Sequence, residues 1–163
     1  MNWPFGARPS AGPNKMVGVG PVTLTEEERH ECEAYLGATM QRYFNNDQAF
    51  IEEELAEPFE RMMISQCLMG RAHRLQRLAE SQPEYKREAT QVAAKACALF
   101  PVSINFYDFA CILHAFGEIE QAKLIFGEFL RLHAAGPMNP IEEVALKQRD
   151  LNAAVTHAKG AIG

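Results

Sequence analysis

No stretch of the 163 residues approaches the roughly 18 uncharged apolar residues that would span a bilayer. The segment Met1–Phe5 is not a basic stretch leading into an apolar run, so no secretory signal is expected. An excess of positive charge is also missing. The formal net charge is -5, whereas a general nucleic-acid binder needs surplus Lys and Arg to neutralise phosphates. Glycine-rich phosphate loops, CxxC pairs and zinc spacings are absent. The four cysteines, Cys32, Cys67, Cys97 and Cys111, lie in apolar helical patterns, which predicts buried free thiols and a reducing compartment. Strand-like alternation competes nowhere. These absences leave an expectation of a soluble, cytoplasmic, all-α domain that takes up no nucleic acid, membrane, cofactor or metal.

Proline and glycine concentrate at one end. Residues 1–22 hold Pro4, Pro9, Pro13 and Pro21 with Gly6, Gly12, Gly18 and Gly20, and only Arg8 and Lys15 are charged. Such a segment buries too little apolar area to order itself. It reads as a flexible arm in which Trp3 and Phe5 are the side chains able to dock. Residues 23–163 then read as a single helical domain, a length able to bury a core.

Thr25 and Glu28 form a capping-box pattern that starts the first helix. Cys32, Tyr35, Leu36, Met40, Tyr43 and Phe44 follow at helical spacing, up to Asn45. A short helix is expected at about 48–56, so that residues 23–60 make an N-terminal helical hairpin. Pro58 suits the first turn of a longer helix through Ser81, with Phe59, Met62, Met63, Cys67, Leu75, Leu78 and Ala79 inward. Pro83 forces the next break. Helices are expected at about 84–99 and 119–133, a shorter one at about 141–148, and a last one carrying Ala154, Ala158, Ala161 and Ile162.

The spacing from about residue 60 onward is repetitive, with a period of 32–33 residues built from helix pairs. In the middle unit Phe106, Phe109, Ala110, Leu113, Gly117, Ala122, Phe126 and Phe129 follow in order. Gly117 permits a tight turn, and Ala110 with Ala122 allow two helices to approach closely. This unit resembles the tetratricopeptide repeat. The resemblance covers about residues 60–163 and implies antiparallel helix pairs stacked as a short right-handed solenoid. It further implies a concave groove lined by the first helix of each pair, holding a partner peptide or helix. On that resemblance the groove positions fall on Ile104, Tyr107, Cys111, His114 and Ala115, and in the preceding unit near His73 and Arg77. Tyr107 and Cys111 stand where chaperone-binding members carry Lys and Asn, so a terminal-carboxylate clamp is not implied.

Charge is uneven. Residues 23–60 carry eleven acidic and two basic side chains, a net of -9, while residues 61–100 carry seven basic and three acidic, a net of +4. The two blocks are expected to pack together and partly neutralise each other. Arg71, Arg74 and Arg77 make a basic stripe at three-residue spacing, which suits either an acidic partner peptide or the chain's own carboxylates at 52–60. Catalytic pairings are sparse. Glu27 with His30, Cys67 with His73 and Cys111 with His114 are one or two turns apart, but no second element completes any of them. The function expected is therefore a non-catalytic adaptor or chaperone-like module. The alternatives are a self-associating homodimer, through the last helix or the run Met62–Ile64, and a small helical metal protein.

Overall fold

A computed structural model describes residues 24–36, 58–138, 140–147 and 149–163. The arm at 1–22, the helix expected at 48–56, the positions Met40, Tyr43 and Phe44, and the carboxylates at 52–57 lie outside the described residues. So do the side chains of Tyr35, Leu36 and Phe59. Among the described residues every regular element is a helix, and no helix is long and apolar enough to cross a membrane.

The first helix, α1 (Glu26–Leu36), begins at the capping box. The Thr25 amide donates to Glu28 Oε1 at 2.8 Å, and the Glu28 amide donates to Thr25 Oγ1 at 3.1 Å. Helix α2 (Pro58–Ala79) opens on the expected proline. Its inward line runs Ile64, Leu68, Ala72, Leu75 and Ala79, in steps of three and four. Leu78, expected inward, is 43% exposed, because it sits one residue off that line and about 100° around the helix.

Helix α3 (Tyr85–Leu99) packs along α2 as the return arm of a hairpin. Its alanines, from Ala89 to Ala98, are buried and let the backbones of α2, α3 and α4 (Ser103–Ala115) come close. Helix α4 is buried on most of its circumference and touches α2, α3 and α5 (Ile119–Ala135). The turn from α4 to α5 uses Gly117 at φ +81°. The Glu118 amide donates to Leu113 O and the Gly117 amide to His114 O, both at 3.0 Å, the two bonds of a Schellman motif.

Four phenylalanines without exposed surface, Phe106, Phe109, Phe126 and Phe129, fill the space between α4 and α5. Helix α6 (Pro140–Leu146) packs against α2, and α7 (Leu151–Ile162) lies on α5 and α4. Asp150 caps α7 by accepting the Ala153 amide at 3.1 Å. A smaller apolar cluster of Met62, Phe100, Val102, Ile104 and Ala145 joins α2, the α3–α4 connection and α6.

Candidate functional site

Helices α2 and α4 run beside each other, and a half-open cleft of about 300 Å³ lies between them. Met62, Met69, Phe100, Val102 and Ile104 form its apolar lining, while Gln66, Gly70, His73 and Arg149 stand at more open positions. Polar groups beneath are mutually satisfied. Asn105 Nδ2 donates to Phe100 O at 2.8 Å and to Ser65 Oγ at 3.3 Å, and the Ser65 hydroxyl donates to Met62 O at 2.8 Å. Buried polar groups joined in this way fix the relative position of α2 and α4.

Asp108, only 7% exposed, faces the same space and takes a two-pronged ion pair from Arg149. Arg149 Nη1 donates to Asp108 Oδ2 at 2.9 Å and Nη2 to Oδ1 at 2.8 Å. The hydrogen bond to Asp108 raises the guanidinium pKa further. The pair pins the segment after α6 across one end of the cleft. Neither residue was among the expected site positions. The signal for Asp108 was its place as the lone carboxylate in the apolar helix Ser103–Ala115.

The expected groove residues divide. His73 and Ile104 line the cleft, although Ile104 is only 6% exposed and serves as lining rather than rim. Tyr107 and Cys111 lie instead on the side of α4 that meets α5 and α7. The Tyr107 ring packs in tilted arrangement with its centroid 5.2 Å from that of Phe129 and 6.0 Å from that of Phe126, and its hydroxyl shares a 2.7 Å hydrogen bond with His157 Nδ1. Cys111 is partly buried and packs against the main apolar cluster. His114, Ala115 and Arg77 are exposed, outside the cleft lining. Because α4 is apolar on nearly every side, its register alone did not reveal which face a neighbour would cover.

The arginine stripe is met by α1. Arg71 Nη1 donates to Glu31 Oε2 at 2.7 Å, and Nη2 donates to Glu88 Oε1 at 3.0 Å and to Glu27 Oε2 at 3.3 Å. Arg74 is also paired with Glu31. The carboxylates that neutralise these two arginines thus include Glu27 and Glu31 of the first helix and Glu88 of α3. The expected packing of the acidic block on the basic one is present here.

None of the three sequence-adjacent pairs converges into a reactive group. Cys67 is buried in the apolar core, while His73 contacts Gln76 Oε1 at 3.4 Å. Glu27 is engaged by Arg71, and His30 is exposed. Among the described residues no three His, Cys, Asp or Glu side chains come together as metal ligands.

Burial pushes the Tyr107 phenol up to about 12, helped by Cys111 and Asp108 nearby. A raised folded-state value means that the neutral phenol is favoured by folding. Its contribution is therefore complete below the ordinary value near 10 and is lost as pH rises towards 12. Stability measured by urea unfolding should fall between pH 10 and pH 12, and Tyr107→Phe should make that fall shallower.

Comparison with protein-family models, characterised proteins and solved structures gives no match for this chain.

Proposed function

We propose that this chain is a tetratricopeptide-like binding module that receives a segment of a partner protein in the cleft between α2 and α4. The observation that carries the reading is the cleft itself, half open, with an apolar lining and polar groups at its edge. Such a lining suits an apolar anchor side chain, and the polar edge suits hydrogen bonds to the anchor's backbone. Helix packing supports the repeat reading. The hairpins α2–α3 and α4–α5 are consecutive, α3 packs under α4, and α7 lies on α5 and α4 as the first helix of a third unit would. In this arrangement α7 acts as a cap, and α6 is a connecting helix turned back onto α2.

The partner's anchor in this reading is apolar rather than acidic, since Arg71 and Arg74 already hold carboxylates of the chain itself. Self-association through the run Met62–Ile64 is not favoured, because Met62 and Ile64 are buried and Met63 is packed against both apolar clusters.

Gly70 provides the test. It lines the cleft, and a Cβ placed there meets only the end of Arg74, at 3.6 Å. Gly70→Ala should keep the fold and gain about 0.5–1 kcal/mol from helix propensity. Gly70→Phe should occupy the cleft while preserving helicity. Affinity capture from native lysate should then recover a partner with the wild type and lose at least 90% of it with Gly70→Phe, with Thr156→Arg on α7 as the unaffected control. Equal capture by Gly70→Phe would remove the cleft as the binding site.

A further inference from the structure

Helix α1 is attached by charge where the rest of the fold is joined by apolar packing. Among its described side chains Cys32 is the only apolar one that is buried, with Leu24 half-buried just ahead of the helix. Around them the contact is ionic. Arg71 of α2 carries three carboxylates, Glu31 at 2.7 Å, Glu88 at 3.0 Å and Glu27 at 3.3 Å, and Glu31 is shared with Arg74. Lys95 of α3 holds Glu28 at 2.5 Å. This fit is incomplete. Among the described residues four buried side-chain polar atoms have no hydrogen-bond partner, and two of them, Glu28 Oε2 and Arg71 Nε, belong to this contact. Glu28 is 2% exposed, so its second oxygen gives up water and gains no donor in return. Settled core contacts ordinarily avoid that cost.

We propose that the strip formed by Arg71, Arg74 and Lys95 is a second docking surface, suited to an acidic helix of another protein, and that α1 occupies it as an exchangeable stand-in. Without α1 the strip sets three cations against one carboxylate, Glu88. The pattern that fits it is written in α1. Glu27 and Glu31, one turn apart, reach Arg71, Glu28 reaches Lys95, and the small Cys32 enters the apolar seam between them. A partner helix with carboxylates at i, i+1 and i+4 and a small apolar residue at i+5 presents the same set. A carboxylate placed side-on, across Nε and Nη of Arg71, would also satisfy the donor that α1 leaves unpaired.

Exchange is favoured by the kind of bonds involved. Glu27 and Arg74 are substantially exposed, so salt weakens their pairs. The tethered α1 competes at a high effective concentration, and an incoming helix binds only the fraction of molecules from which α1 has lifted. None of Arg71, Arg74 and Lys95 lines the α2–α4 cleft, so this surface stands or falls separately from the site proposed there.

A capped, fluorescein-labelled peptide of residues 24–36 serves as the acidic helix, and its binding to the full-length chain is followed by anisotropy at about 50 mM NaCl. The wild type should bind it weakly, since its own α1 is in place. Glu27→Gln/Glu28→Gln/Glu31→Gln removes the charge of the tethered helix and should bind the peptide at least about tenfold more tightly. Adding Arg71→Gln and Lys95→Gln should abolish that gain, and a peptide carrying the same three glutamines should bind neither form. A second readout needs no variant. Amide exchange of the wild type should rise about tenfold in residues 27–34 between about 50 and 500 mM NaCl, with residues 85–99 nearly unchanged. Exchange in α1 as slow as in α3 at both salt concentrations would overturn the proposal. So would a charge-stripped variant of intact helicity that gains no affinity, or a gain that survives the loss of Arg71 and Lys95. Tighter binding of a single-stranded oligonucleotide than of the peptide would also overturn it and assign the strip to phosphates.

Discussion

Truncation of Phe126 to alanine is expected to destabilise the protein by about 3–5 kcal/mol, a large share of the 5–15 kcal/mol typical of a domain. The ring has no exposed surface, and it touches elements distant in sequence. It lies 6.0 Å from Tyr107 of α4 and 5.4 Å from His157 of α7. Its removal leaves a void between α4 and α5 and withdraws the surface on which α7 rests. Urea unfolding should report the loss, and amide exchange should rise first in residues 151–162. Phe126→Leu keeps most of the volume and should cost markedly less. A loss below 1 kcal/mol for Phe126→Ala would mean that α5 does not pack as described.

Glu28→Ala is expected to cost about 2–3 kcal/mol, the second-largest effect. Glu28 is only 2% exposed, and its Oε1 accepts both the Thr25 amide and Lys95 Nζ. The substitution thus removes half of a capping box and leaves an ammonium ion at a partly buried position without its carboxylate. The cost stays below that of a fully buried pair because Lys95 retains about a quarter of its side-chain exposure. The change should concentrate in α1, since that helix is held chiefly by α2 and by these ion pairs. Adding Lys95→Ala should be less than additive, with a coupling energy of about 1 kcal/mol in a double-mutant cycle. Strict additivity would show that the contact contributes nothing in solution.

The capping box at Thr25 and Glu28, the proline opening at Pro58 and the turn at Gly117 were legible in the sequence because each depends on neighbours within five residues. The alanine-rich face of α3 and the phenylalanines of α4 and α5 were legible as core for a related reason, since helical spacing alone puts them on common faces. Leu78 was misjudged by one position, which on a helix is enough to turn a side chain from core to solvent.

The site was harder to read. Asp108 and Arg149 are 41 residues apart, and their pairing depends on α6 folding back onto α2, which no local pattern specifies. The face of α4 was ambiguous for a different reason. Its apolar residues surround the axis, so helical spacing does not distinguish Tyr107 and Cys111 from groove positions, and only the packing of α7 on α4 marks that side as covered.

Photo-crosslinking from position 66 tests the central claim most directly. Gln66 lines the cleft beside Met69 and His73. A benzoylphenylalanine placed there, in cells that make the full chain, should yield on irradiation a discrete adduct with a second protein. The same probe at Thr156, on the exposed surface of α7, should yield none. An adduct from position 66 that disappears when Gly70→Phe is added would establish the cleft as the partner's seat. Adducts from position 156 alone, or from both positions alike, would contradict the account and move binding away from the α2–α4 cleft.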